Sequence, residues 1–189
     1  MTDLFATPEG GFPPFTWMNQ CLRCAVTRFF GEVPPGFAEQ VPGFIQGLGL
    51  SATATSWIAR LAGFGCLALT FACVWRRRSV PAARPWTIAA VLALALLLSP
   101  ISWKAHHVAL LPAFFMIGTV AFGGCIWTWI LAGLYVIFCG LGEQFVGKGM
   151  KEFQQAHYFT TIGTIGILGL CLWKVQTAAP VLPPDESRR

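Results

Sequence analysis

The chain has 189 residues, of which 55% are apolar, 14% aromatic and only 11% charged, with 13 Lys and Arg set against 8 Asp and Glu. A soluble domain carries roughly 25% charged residues because charge keeps its outer surface in water, so this composition, with a mean hydropathy of +0.61, excludes a soluble enzyme, a disordered tail and a collagen-like fibre. The net charge of +5 does not imply a nucleic-acid partner, because Arg76, Arg77, Arg78 and Arg84 lie between two apolar runs, where positive charge sets membrane orientation.

Residues 1–50 form a first segment, expected on the extracytoplasmic side. Within it, residues 16–30 have helical periodicity: Trp17, Met18, Cys21, Leu22, Ala25, Val26, Phe29 and Phe30 cluster on one side at 100° per residue. Thr16, Asn19, Gln20, Arg23 and Thr27 fall opposite. Thr16 is placed to cap the start and Gly31 to end the helix. With aromatic residues on one face, it is expected to be amphipathic, lying in the membrane interface or packing on the spans. Its polar face would point to headgroups or a cavity. Cys21-Leu22-Arg23-Cys24 is a lone CxxC with no second pair at metal-ligand spacing, and neither a metal nor a cofactor is expected. The other five cysteines lie in apolar runs and read as small apolar residues. Residues 32–49 are turn-rich and lead into the membrane.

A crossing takes about 20 apolar residues, because a helix rises about 1.5 Å per residue through a core roughly 30 Å thick. Residues 51–175 are expected to hold about five crossings: 57–75, 86–103, 107–122, 124–142 and 158–173. Arg60 lies close enough to the end of the first to snorkel. The third and fourth come from dividing the 38 residues without formal charge between Lys104 and Glu143 at Gly123-Gly124. The whole reads as an all-α polytopic membrane helix bundle. Positive charge puts the Arg76–Arg84 loop in the cytoplasm, and the N-terminus and the Lys104-His106-His107 corner outside. Five crossings put the short tail 176–189 inside; four would put it outside.

That corner, Ser99-Pro100-Ile101-Ser102-Trp103-Lys104-Ala105-His106-His107 followed by Leu110-Leu111-Pro112, sets three potential cations within four positions. Pro100 and Pro112 break or bend the flanking helices. Backbone freed in this way is tolerated at membrane depth only against protein or a wet cavity. Lys104 offers fixed charge, while His106 and His107 offer hydrogen bonds, a set that suits a phosphate. The alternative is an interfacial anchor of His, Trp and Lys at headgroup level.

Ser99-Pro-Ile-Ser-Trp, His106-His107 and the following Leu-Leu-Pro resemble the signature of the polyprenyl-phosphate-mannose-dependent mannosyltransferases of glycosyltransferase family 87, membrane enzymes of the glycosyltransferase-C class. Asn19-Gln20, followed by a helix with Arg28, resembles their other recurring element, an Asn-Gln-Ser stretch. The resemblance runs from about Asn19 to Leu111. The chain departs from the family in having Cys21 in place of Ser and two residues, Lys104 and Ala105, ahead of the His pair instead of one.

The resemblance implies transfer of a hexose, mannose above all, from a lipid phosphate to an extracytoplasmic acceptor in a bacterial plasma membrane. Its partners would be the lipid-linked sugar donor and the membrane lipids. His106, His107 and Lys104 would hold the lipid phosphate, with Asn19, Gln20 and Arg23 lining the cavity. The family also carries an essential acidic residue after its first span, which is not matched within this chain. No basic start and apolar run follow Met1 to export residues 1–50. The expectation is therefore the C-terminal portion of a larger enzyme, inactive alone, completed by upstream helices or a partner membrane subunit. The competing readings are a small non-catalytic membrane subunit or remnant and, ranked last, a transporter-like protein using His106 and His107 for protons. Glu143, Lys148, Lys151, Glu152 and His157 read as a solvated outer loop. Gly163, Gly166 and Gly169 suit close helix packing.

Overall fold

A computed structural model describes residues 19–32, 47–100, 102, 104–122, 130, 133 and 143–178. Thr16, Trp17, Met18, most of the expected crossing 124–142 and the tail from residue 179 lie outside the described residues. The described chain is all-helical, and its elements form where local chemistry starts and stops them.

The first helix, α1, spans Leu22–Phe30, later than the expected start at Thr16. Cys21 caps it, its Sγ accepting from the Cys24 N–H at 3.3 Å, because Asn19 and Gln20 are engaged elsewhere. Gly31 ends it as expected, its N–H closing on the Thr27 carbonyl at 2.8 Å. Residues 47–50 then run beside the end of α1: Leu50 N–H donates to Phe30 O at 2.7 Å and Glu32 N–H to Leu50 O at 3.1 Å. Gly47 lies so close to the Phe29 carbonyl that no Cβ fits there.

Ser51 caps the longest helix, α2 (Ala52–Arg76), by accepting from the Ala54 N–H. Its 25 residues reach about 37 Å at 1.5 Å per residue, enough to cross a hydrocarbon core of roughly 30 Å. Only 11% of its apolar window is buried within the chain. Trp57, Leu61, Phe64, Leu69, Phe71 and Trp75 stand exposed, an arrangement that only an apolar surrounding makes favourable. A 3-10 turn, Pro81–Ala83, feeds α3 (Arg84–Leu98). This helix stops at Leu98 instead of continuing to Trp103, because Ser99 precedes a proline and takes an extended ψ of 136°. A second 3-10 turn covers Lys104–Leu110, and α4 spans Leu111–Phe122, with Pro112 in its first turn where no N–H is missed. The expected crossing 107–122 is thus a 3-10 turn joined to a shorter apolar helix.

The segment expected as a solvated loop is instead two short helices, α5 (Glu143–Val146) and α6 (Lys148–Ala156). Gly147 joins them at φ 78°, a left-handed conformation suited to glycine. The apolar residues Phe145, Met150 and Phe153 break the polar run into a helical pattern and stay exposed. The last helix, α7, spans Phe159–Thr177.

Three segments are long and apolar enough to cross a membrane: Ala52–Arg76, Pro81–Leu98 and Phe159–Thr177. This is the architecture of an integral membrane protein. Helix α3 is the axis, packed on α1, α2, α4 and α7. Ala89, Ala90 and Ala93 have no exposed surface, and such small side chains let neighbouring backbones approach closely. Leu168, Cys171, Leu172 and Val175 of α7 join the same core. Gly166 and Gly169 lie on the other side of α7, with nothing within 4 Å of an added Cβ, so the glycine stripe is not the surface that meets α3.

Two long-range hydrogen bonds set the relative direction of α2 and α7. Gln176 near the end of α7 donates to the Cys73 carbonyl near the end of α2 at 2.9 Å. Thr161 near the start of α7 donates to the Gln20 carbonyl ahead of α1 at 2.7 Å. Helices α2 and α7 therefore run parallel.

Candidate functional site

Pro100 breaks α3 and strips the Pro100 carbonyl and the Ser102 N–H and C=O of helical partners. Buried backbone groups need replacements, and the segment ahead of α1 supplies them. Asn19 Nδ2 donates to Pro100 O at 2.9 Å, Asn19 Oδ1 accepts from Ser102 N–H at 3.0 Å, and Gln20 N–H donates to Ser102 O at 2.7 Å. A primary amide carries a donor and an acceptor on one plane, as a peptide does, which is why asparagine can stand in for a missing strand here. The same Oδ1 also accepts from the Cys21 N–H at 3.3 Å, coupling this clasp to the start of α1. Asn19 and Gln20 are 0% and 1% exposed. They bind distant chain segments, Asn19 reaching Ser102 across 83 positions, and do not lie on an open polar face.

Beside the clasp lies Arg28, 1% exposed. One Nη donates to the Asn19 carbonyl at 2.9 Å, and the guanidinium carbon sits 5.0 Å from the centre of the Tyr158 ring. No carboxylate pairs with it among the described residues, and its Nε and other Nη have no hydrogen-bond partner. Burying such a charge costs several kcal/mol; a hydrogen bond to a charged group returns about 1.5–3 kcal/mol and a desolvated cation–π contact about 2 kcal/mol. Burial pushes the Arg28 pKa down. Burial raises that of Tyr158 and the neighbouring guanidinium opposes the rise.

Tyr158 is the single non-glycine residue with positive φ among those described, at φ 60°, a conformation that costs an L-residue roughly 1–2 kcal/mol. The hydroxyls of Tyr158, Ser102 and Thr160 are buried without partners. Around them, Thr161 donates to Gln20 O and Thr164 to Thr160 O, both at 2.7 Å. The site is therefore a buried polar layer built by α1, the broken end of α3 and the start of α7.

The residues expected to line the cavity omit Arg28 and include Arg23, which is exposed on the opposite side of α1. The buried arc of α1 takes in Cys24 and Arg28, one turn apart, and leaves Phe29 49% exposed. The signal in the sequence is this i, i+4 spacing; apolar periodicity alone puts Phe29 inwards. Lys104 opens the 3-10 turn that carries His106, exposed, and His107, half-buried. This turn begins two residues beyond Ser102, so the clasp sets where the histidines start.

The CxxC pair belongs to the same layer. The thiol of Cys24 and its N–H both bond to Cys21, holding the Cys21 thiol down at about 7 against the effect of burial, with Arg28 and Arg23 adding to the lowering. Cys24 is correspondingly raised by that bond and by burial. Both are free thiols. Among the described residues no three His, Cys, Asp or Glu side chains gather in a metal-binding group. No family model, no curated protein and no solved structure matches the chain.

Proposed function

We propose that the chain is the C-terminal part of a membrane glycosyltransferase that moves a hexose, mannose above all, from a polyprenyl-phosphate sugar to an extracytoplasmic acceptor. In this reading the chain crosses a bacterial plasma membrane five times, with the Arg76–Arg84 loop in the cytoplasm and the Asn19–Ser102 clasp outside. The acceptor hydroxyl attacks the anomeric carbon, a carboxylate takes its proton, and the lipid phosphate leaves. His106, His107 and Lys104 act on the leaving side, donating to the phosphate oxygens. The carboxylate comes from upstream helices or a partner subunit.

One observation carries this reading. The two stretches that resemble the mannosyltransferase signature are bonded to each other through Asn19, Gln20, Pro100 and Ser102. Two chance matches would have no reason to meet. The contact also gives each residue type a role, since proline breaks the helix and asparagine satisfies what the break exposes.

The test is a donor-binding assay, which does not require turnover. Membranes containing the chain are photolabelled with a diazirine-bearing polyprenyl-phosphate mannose, with and without excess unlabelled donor. Labelling should be saturable and should fall about tenfold or more, a loss of about 1.4 kcal/mol or more, when His106 and His107 are both replaced by Ala. Equal labelling in the double variant would sink the assignment and favour a non-catalytic subunit.

A further inference from the structure

We propose that Arg28 is a receptor for a phosphate group, built into the layer between α1 and the start of α7. The inference needs a phosphate and not a sugar, so it holds independently of the transfer reading and of the histidine pair. It starts from an imbalance. Arg28 is among the largest fully buried side chains of the protein, yet two of its three guanidinium nitrogens lack a partner and no carboxylate neutralises it among the described residues. A buried guanidinium is retained where an anion meets its fork, and a phosphate matches that fork with two parallel hydrogen bonds.

The neighbours fit the same ligand. The Tyr158 and Ser102 hydroxyls are buried without partners, and both belong to residues tied to Arg28. Tyr158 lies over the guanidinium; Ser102 and Arg28 are each bonded to Asn19. Guanidinium and hydroxyl groups all donate, and a phosphate offers several acceptor oxygens. A carboxylate sets its two oxygens in one plane, whereas a phosphate carries three or four at tetrahedral angles, the fuller match to a fork and two further donors. Tyr158 also explains access. Its ring covers one face of the guanidinium from a left-handed backbone, and strained residues of this kind mark places where a ligand or a conformational change is accommodated.

The experiment uses the full chain in a neutral detergent, with the thermal midpoint as readout, since a ligand that binds only the folded state raises it. One arm is titrated with inorganic phosphate, a second with a short-chain prenyl phosphate, and a third with the matching prenyl alcohol. Prenyl phosphate should raise the midpoint and the alcohol should not. Arg28→Lys, which keeps the charge and loses the fork, should raise the half-saturating concentration about tenfold or more, a change of about 1.4 kcal/mol. A response to inorganic phosphate with the same dependence on Arg28 identifies the free ion as a ligand; a response to prenyl phosphate alone identifies a lipid headgroup.

Where Arg28→Lys does not fold, Tyr158→Phe decides: weaker binding supports the site, and unchanged binding overturns it. A midpoint that neither phosphate moves, or half-saturation unchanged in Arg28→Lys, also overturns it and leaves Arg28 as a structural post for Asn19. Loss of binding in the His106/His107 double variant, with Arg28→Lys unaffected, sinks this inference and leaves the transfer reading standing. The reverse pattern sinks the role of the histidines and leaves the Arg28 site.

Discussion

The two ends of the bundle solve the same problem by opposite means. At the Asn19 end, a broken helix, a buried arginine and a set of hydroxyls are packed inside the bundle; Asn19 and Gln20 satisfy the broken backbone, while Arg28 and three hydroxyls keep unpaired groups. At the Arg76 end, α2 finishes at Arg76, and Arg77 and Arg78 follow in the turn. Arg76 and Arg78 are exposed, and Arg78 rests on the Trp75 ring at 4.1 Å. One end buries polarity and the other displays it. An unmade bond is costly where no water can replace it and cheap where water can. The Asn19 end is therefore the rigid end, and a functional site needs to sit on such a support.

The largest effect should come from Asn19→Ala. It removes the donor to Pro100 O and the acceptor for the Ser102 and Cys21 N–H groups, leaving two buried backbone N–H groups and one part-buried carbonyl without partners. At about 1–3 kcal/mol for each unsatisfied buried group, reduced by local relaxation, the loss should be about 3 kcal/mol. Unfolding in mixed micelles followed by tryptophan fluorescence measures it. A loss under about 0.5 kcal/mol, the size of an ordinary surface substitution, would mean that water already reaches the clasp and that the contrast between the ends is false.

Where the fold is legible in the sequence, it is legible for local reasons. The apolar runs 57–75, 86–103 and 158–173 locate the three long helices found at Ala52–Arg76, Pro81–Leu98 and Phe159–Thr177, because continuous apolarity is a local property. Gly31 marks the end of α1 for the same reason. The clasp is a contact over 83 residues, and nothing in the periodicity around Asn19 shows that its amide replaces a peptide elsewhere. The burial of Arg28 is hidden in the same way. A helical wheel treats arginine as polar and turns it outwards, whereas the Asn19 carbonyl and the Tyr158 ring hold it inside. Ser51 and the pre-proline Ser99 shift the helix ends from where apolarity alone puts them, because capping and proline sterics outrank it at a boundary.

A smaller effect separates the ends by pH. The Cys21 thiol is held at about 7, below its ordinary value of 9.0. A group whose pKa is lowered by folding contributes stability that is present above the ordinary value and lost as pH falls through the folded one. Stability should therefore fall as pH is lowered from about 9 to about 6.5, by on the order of 1 kcal/mol. Cys21→Ser keeps a side-chain cap on α1 and removes the titration, so its pH profile should be flatter over that window. An unchanged slope in Cys21→Ser would place the titrating group outside the clasp.

The smallest effect should come from Gln176→Ala at the opposite end. Cys73 carries one of the last four carbonyls of α2, which have no partner within their own helix, and Gln176 Nε2 fills this one at 2.9 Å. Gln176 is the donor that ties α7 to α2 there, much as Asn19 ties the other end. The geometry is as good, but the contact is only part-buried and stands next to an arginine-rich terminus that water reaches. Removing the amide lets solvent reach the carbonyl, so the loss should be the net value of one hydrogen bond, about 1 kcal/mol or less. Asn19→Ala and Gln176→Ala delete similar amides from similar positions, at helix ends where the backbone lacks partners. If the two losses are equal, burial does not distinguish the ends. If they differ about threefold, the difference belongs to the surroundings and not to the bonds, and the Asn19 end is rigid because it is dry.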